Sequence, residues 1–99
     1  MTNDVILFKK IEKDTYTLIE FQIKGDICTP NILTTLEPPE VDATRGVILS
    51  GREPVWFLGR LIHHYHLTIW IATFDPRLGG GVVASHAKGV KVGDVKLTD

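Results

Sequence analysis

The segment GVILSGREPVW, residues 46–56, constrains the fold of this 99-residue chain more than any other. Residues 46–49 are rich in β-branched and aliphatic side chains, which is typical of a short buried strand. Ser50 and Gly51 interrupt this strand. Pro54 then stands where the first turn of a helix would begin, because proline lacks the N–H that this position leaves unpaired. The segment therefore predicts a strand, a tight turn and a helix N-terminus.

The predicted turn brings together groups that bind anions. Backbone N–H groups and the positive end of the helix dipole lie at a helix N-terminus. Ser50 adds a hydroxyl group, and Arg52 adds a cation that can form two parallel hydrogen bonds. An ordinary turn with a solvated arginine has the same local sequence, so the motif alone leaves both interpretations open.

The composition indicates one globular domain over residues 1–99. Hydrophobic residues make up 43% of the chain and charged residues 23%, with a formal net charge of -1. This charge argues against a general nucleic-acid coat protein, but it allows a small anionic ligand. Cys28 is the single cysteine, which fits a reducing compartment. With no recognisable leader and no apolar run near ~18 residues, we expect a cytoplasmic protein without a membrane span.

Two strands and a short helix are predicted before the central segment. Residues 5–8 and 15–23 predict an antiparallel hairpin. The second strand alternates, and its more apolar side chains are expected in the core: Thr17, Ile19, Phe21 and Ile23. Residues 30–36 predict a short helix with Thr29 as its N-cap.

The central segment continues into a β-α-β unit. A helix over residues 53–65 and a strand over residues 67–75 place the strands on either side of the helix in parallel, with a right-handed crossover. The stripe expected to face the sheet consists of Val55, Leu58, Ile62 and Tyr65. Three more apolar residues lie outside that stripe, and they predict a dimer interface on the helix: Trp56, Phe57 and Leu61.

The remaining strands complete the predicted fold class. Residues 82–85 are expected to return antiparallel to the strand before them, and residues 95–97 form a last short strand after a turn at Gly93. We therefore predict a small α/β domain whose mixed sheet has about five to six strands, with parallel strands at its centre, and two helices.

The predicted topology separates two groups of polar residues. Parallel strands end at the same edge of a sheet, so Ser50 and Arg52 lie at one edge with Asp75 and Arg77. We call this the carboxyl edge. Together these groups would form an anion site with one carboxylate.

The histidines belong to the opposite edge, which we call the amino edge. His63, His64 and His66 end the helix, where imidazoles interact favourably with its negative end, and His86 also points away from the carboxyl edge. More than ~20 Å separates His66 from Asp75 in one chain, since a strand rises ~3.3 Å per residue. Either the histidines are unrelated to the carboxyl edge, or a second copy of the chain stacks edge to edge and completes one site.

Four motifs resemble a known family: GVILSGREPVW, HHYH at residues 63–66, FDPRLG at residues 74–79, and Ser85-His86. The chain resembles the small stand-alone CRISPR-associated ring nucleases of type III systems, densely over residues 46–86 and more loosely before them. The resemblance implies a reduced Rossmann-like fold and cleavage of cyclic tetra-adenylate, which would switch off antiviral signalling. It also implies homodimers that trap the ring in a ligand-induced dimer of dimers. The group is also described as a manganese-dependent RNA deadenylase.

The resemblance assigns roles position by position. The residues that it implies for ligand binding are Ser50, Gly51, Arg52 and Arg77. The residues that it implies for cleavage are His66, Asp75, Arg77 and His86. Of these, Asp75, His66 and His86 are also the candidate ligands of Mn²⁺. Glu53 stands where the resemblance implies glycine, which places a carboxylate beside the phosphate site.

An adenylate ring can be cut without external water if a 2′-hydroxyl attacks its own phosphate. His66 or His86 would then transfer the proton, and Arg52 and Arg77 would stabilise the added negative charge. Mn²⁺ would assist as a Lewis acid without being obligatory. Three alternatives stay open: a sensor or sponge that binds the ring without cutting it, a metal-dependent exoribonuclease acting on adenylate-ended RNA, and a structural oligomerisation module.

Overall fold

A computed structural model describes residues 6–23, 30–52, 54–86 and 89–98, with His86 described by its backbone only. The elements, in chain order, are β1 (Ile6–Glu12), β2 (Tyr16–Ile23), a 3-10 helix (Pro30–Thr35), β3 (Gly46–Ser50), α1 (Val55–His64), β4 (Trp70–Asp75), β5 (Gly80–His86) and β6 (Val95–Leu97). Among these residues, no helix is both long enough and apolar enough to cross a bilayer.

The six strands form one mixed sheet in the order β1-β2-β3-β4-β5-β6. β2, β3 and β4 are parallel, while β1, β5 and β6 pair antiparallel with their neighbours. The predicted first hairpin, the parallel β3-α1-β4 unit and the antiparallel return of β5 are all confirmed. The predicted N-cap, Thr29, lies outside the described residues.

The predicted reduced Rossmann-like α/β fold is wrong. Strand residues outnumber helical residues by about two to one. Only the three middle strands are parallel, and both helices pack into the same core cluster. They therefore cover one face of the sheet, the helix face, whereas Rossmann-like folds have helices on both faces. The physical reason is that the two crossovers, from β2 to β3 and from β3 to β4, step in the same direction across the sheet. Right-handed connections that step the same way lie on the same face.

The core on the helix face confirms the alternation predicted for β2 and corrects the stripe predicted for α1. Ile19 is fully buried and Phe21 is 5% exposed. On α1, however, Phe57 and Leu61 are fully buried, while Val55 is 86% exposed. The buried stripe is shifted so that Phe57 and Leu61 lie at its centre, and of the predicted stripe only Val55 falls outside it. Tyr65 is buried, and Leu58 and Ile62 pack partly buried against the same core.

This shift removes the reason for placing a dimer interface on α1. Phe57 and Leu61 belong to the core of a single chain, and Trp56 packs partly buried against them. No wide aromatic patch therefore remains on the helix to be covered by a partner. Dimerisation itself stays a prediction.

The opposite side of the sheet, the open face, has its own apolar cluster. Its buried members are Tyr16, Ile48, Trp70, Ala72 and Val83. No helix of the described chain covers this cluster. Instead, the end of the chain approaches it: the Lys96 Nζ lies 5.4 Å from the centre of the Trp70 ring.

Candidate functional site

The parallel register of β3 and β4 places the two predicted turns at one edge of the sheet. Leu49 pairs with Thr73, so Ser50 and Asp75 both lie at the carboxyl edge, as predicted. They lie on different sides of the sheet, however. Ser50 follows Ile48 onto the open face, while Asp75 alternates onto the helix face.

Asp75 and Arg77 form a closed unit within the turn that follows β4. The Arg77 backbone N–H donates to Asp75 Oδ1 at 2.9 Å, and Arg77 Nε donates to the same oxygen at 3.3 Å. Arg77 Nη2 donates to Asp75 Oδ2 at 3.1 Å. These bonds hold the pKa of Asp75 below its ordinary value. The Arg77 side chain is 87% exposed and that of Asp75 is 24% exposed, so a cation held in one orientation is presented at the edge.

The turn after β3 lies beside a cleft of about 490 Å³. Ser50, Gly51 and Arg52 line it together with the end of β2. Gly51 is required by packing, since a Cβ there would lie 2.5 Å from the Phe21 ring. Arg52 is exposed, and no ion pair joins it to another described residue. Glu53, whose carboxylate is predicted to lie beside the phosphate site, is outside the described residues.

At the amino edge, the main chain selects the tautomer of His66. Its Nδ1 lies 2.8 Å from the carbonyl oxygen of His63, and a carbonyl can only accept, so Nδ1 donates. The neutral ring therefore carries an unprotonated Nε2 that can accept a proton or bind a metal. The rings of His63 and His66 stack, with centres 5.2 Å apart and planes 11° apart. This contact restricts the orientation of the His66 ring.

Unlike His66, the neighbouring residues His64 and Tyr65 are shaped mainly by burial. Burial first, and then the nearby charges of Arg60 and His63, lower the pKa of His64. Tyr65 donates from its hydroxyl to the Pro39 carbonyl at 2.6 Å, and burial raises its pKa. Tyr65 thus anchors the end of α1. Among His63, His64 and His66, only His66 combines a fixed tautomer with a stacked ring.

His86 and Asp75 lie at opposite ends of the β4–β5 pair. The backbone of His86 pairs with Trp70, and that of Asp75 pairs with Gly80. Trp70 and Asp75 are five residues apart, which corresponds to about 17 Å along the strand. His86 therefore shares the amino edge with His66, and neither can meet Asp75 in one chain.

The predicted manganese ligands consequently do not converge in one chain. No group of three or more potential ligands lies together among the described residues. Both oxygens of Asp75 already accept hydrogen bonds from Arg77, and a metal there would face the guanidinium charge. The three residues fit a metal ion only if two copies of the chain supply them.

One polar residue of the open face was not singled out from the sequence. Glu20 is the direct cross-strand partner of Ser50, and both line a second cleft of about 330 Å³ on the open face. In the sequence, Glu20 follows Tyr16 and Leu18 on the same side of β2. A carboxylate in this apolar row was the available sign that the position has a special role. The link to Ser50 depends on the pairing of β2 with β3, which no local pattern reveals.

Comparison with known proteins places the chain in a family. The family described as CRISPR-associated protein (Cas_csx3) matches residues 20–96. A protein of Aquifex aeolicus (strain VF5), named only as an uncharacterized protein, is 51% identical over 92 residues, covering 88% of this chain and 81% of that protein. The matched residues include both edges described above. The chain belongs to the Csx3 family of CRISPR-associated proteins.

Proposed function

We propose that this protein is a ring nuclease that binds and cleaves cyclic tetra-adenylate at a site composed of two copies of the chain. The observation that carries the proposal is the division of the polar groups between two edges. Arg52 and the Asp75–Arg77 unit lie at the carboxyl edge, and His66 with its unprotonated Nε2 lies at the amino edge. Membership in a CRISPR-associated family and the resemblance to ring nucleases support this substrate.

In the proposed reaction, a 2′-hydroxyl of the ring attacks the adjacent phosphorus atom. His66 Nε2 accepts the hydroxyl proton, and the bond to the 5′-oxygen breaks. That oxygen takes a proton from a protonated imidazole, His66 or His86. The products are a 2′,3′-cyclic phosphate end and a 5′-hydroxyl end. Arg52 and Arg77 stabilise the negative charge that develops on the phosphate oxygens, and Asp75 keeps Arg77 in place through its paired hydrogen bonds.

The amino edge of one copy must reach the carboxyl edge of another for this reaction. A ring of four equivalent nucleotides suits such an assembly, because it can present phosphates to more than one copy at once. A homodimer and a ligand-induced dimer of dimers meet this requirement. The reaction as written has the 2′-hydroxyl as nucleophile and two guanidinium groups to stabilise charge, so it contains no obligatory metal step. Mn²⁺ held between copies by Asp75, His66 and His86 would assist as a Lewis acid.

The reaction is tested by incubating the purified protein with cyclic tetra-adenylate, with added Mn²⁺ or with a chelator, and weighing the products by mass spectrometry. A 2′,3′-cyclic phosphate end in both conditions is the expected result. Release of a 3′- or 5′-phosphate only with Mn²⁺ would favour metal-activated water. Binding without turnover would favour the sensor, and cleavage of poly(A) unaffected by the ring would favour the deadenylase.

The shared site is tested by mixing two inactive variants. Asp75→Ala and His66→Ala proteins should each lose activity, and their mixture should regain part of it, because some assembled sites then contain both native edges. His64→Ala is the matched control: it removes a neighbouring imidazole that does not stack on His66, and it should stay active. Absence of recovery at every mixing ratio would contradict the two-copy site.

A further inference from the structure

The open-face cleft beside Ser50 has the lining of a small-molecule binding site. Six of the residues that line it are Ile11, Leu18, Glu20, Ser50, Phe74 and Thr98. Its walls combine aliphatic and aromatic side chains with a few polar groups, which is the usual composition of a small-molecule pocket. A volume of about 330 Å³ falls at the lower end of the range of such pockets.

Glu20 is the acidic residue of this cleft, and it lies opposite Lys9 in the register of β1 and β2. It is half-buried, yet no ion pair or hydrogen bond joins its carboxylate to another described residue. Lys13, the other charged residue of the cleft, is not paired with it. The carboxylate oxygens keep their capacity to accept hydrogen bonds, because neither Lys9 nor Lys13 lies within ion-pair distance of them. This position therefore suits a donor that enters with a ligand.

The position of Glu20 relative to Ser50 indicates which part of a ligand enters the cleft. The two residues are cross-strand partners on one face of the sheet, about 5 Å apart across the strands. A phosphate held at the turn formed by Ser50, Gly51 and Arg52 would leave its base one sugar away, in reach of the cleft. Phe74 offers a ring on which a base can stack.

Resting on the proposed function, the geometry points to this cleft as the adenine subsite of the ring, with Glu20 as the residue that selects adenine. The carboxylate accepts a hydrogen bond from the N6 amino group of the base. Hypoxanthine carries a carbonyl oxygen at the same position, and two acceptors would then face each other. One lost base contact of this kind changes affinity by about ten- to a hundredfold.

The test measures equilibrium binding of two rings that lack the 2′-hydroxyl and so resist internal attack: cyclic tetra-2′-deoxyadenylate and cyclic tetra-2′-deoxyinosinate. The native protein should bind the adenine ring more tightly by at least the factor of one base contact, about ten- to a hundredfold, since all four bases of the ring are changed. In Glu20→Gln, the amide can accept from N6 or donate to the carbonyl, so the two affinities should become nearly equal. Glu37→Gln makes the same charge change in an exposed connection and should keep the native ratio.

A second variant separates stacking from hydrogen bonding. Phe74→Leu keeps apolar volume but removes the aromatic face, so it should weaken both rings alike and leave their ratio unchanged. Equal binding of the two rings by the native protein, or a native ratio in Glu20→Gln, would overturn the adenine subsite while leaving ring binding intact. Failure of the folded native protein to bind either ring would overturn the proposed function as well.

Discussion

Substituting Gly46 by alanine should destabilise the protein strongly, although the change adds only one methyl group. A Cβ at this position would lie 2.0 Å from Trp70 Cε2 and 2.3 Å from two further atoms of that ring. The indole cannot move aside easily, because Trp70 is 6% exposed. Its ring centre lies 6.5 Å from that of Tyr16, and Lys96 Nζ lies 5.4 Å from it.

The size of the effect follows from two opposing contributions. Overpacking of a well-packed core costs about 1–3 kcal/mol, and a contact this short belongs at the upper end. Replacing glycine in a strand recovers roughly 0.5–1 kcal/mol of backbone entropy. We expect a net loss of about 2 kcal/mol, which corresponds to a fall in Tm of roughly 8–16 °C for a domain of this size.

Thermal and urea unfolding, followed by circular dichroism, measure this loss. Gly59→Ala is the matched control, since it lies in α1 with no atom within 4 Å of the added Cβ; it should raise stability by about 1 kcal/mol through helix propensity. In a Trp70→Leu background, the loss caused by Gly46→Ala should fall by at least about 1 kcal/mol. A native-like stability of Gly46→Ala, or a loss independent of residue 70, would refute the assignment of the clash.

Three further predictions concern the site and the core. Arg77→Lys keeps the charge but not the paired hydrogen bonds to Asp75, so ring cleavage should fall by about a hundredfold, measured as kcat with Arg60→Lys as the control. Folding lowers the pKa of His64 from its ordinary value of 6.5, so the unfolded chain binds more protons than the folded one. The free energy of unfolding should therefore fall as the pH drops below about 6.5. Urea titrations should show a smaller fall in His64→Gln. Leu61→Ala removes a fully buried side chain and should cost about 2–5 kcal/mol in the same titrations, whereas a loss below about 1 kcal/mol would contradict its place in the core.

The fold could be predicted from the sequence where a hydrophobic pattern is compatible with only one arrangement of strands and helices. The alternation of β2 and the spacing of strand, helix and strand lead to a hairpin and a parallel β-α-β unit, and both are present. The apolar stripe of α1 that faces the sheet could be assigned in two ways. Its sequence is apolar at most positions, so stripes through Val55 or through Phe57 both satisfy a helical period, and the docking of the helix on β3 decides between them.

The site was predictable only as far as topology determines it. Parallel pairing alone places Ser50 and Asp75 at one edge and His66 at the other, whatever the side chains do. The pairing of Arg77 with Asp75 within the turn and the position of Glu20 opposite Ser50 depend on side-chain conformation and strand register. Asp-Pro predicts the turn that holds Asp75 and Arg77, but not the side-chain bonds between them, and the polar interruption at Glu20 does not reveal its partner Ser50.

The separation of the two edges is itself a consequence of the single β-α-β unit. The turn that begins α1 must lie where β3 ends, and the turn that ends α1 must lie where β4 begins, so the helix spans the sheet from one edge to the other. A chain with one such unit cannot bring the two ends of its α-helix together. If chemistry needs both the cations of one end and the imidazole of the other, assembly of copies is the remaining way to combine them. A ligand with repeated, equivalent phosphates is then a suitable substrate, since each edge can contact a chemically identical part of it.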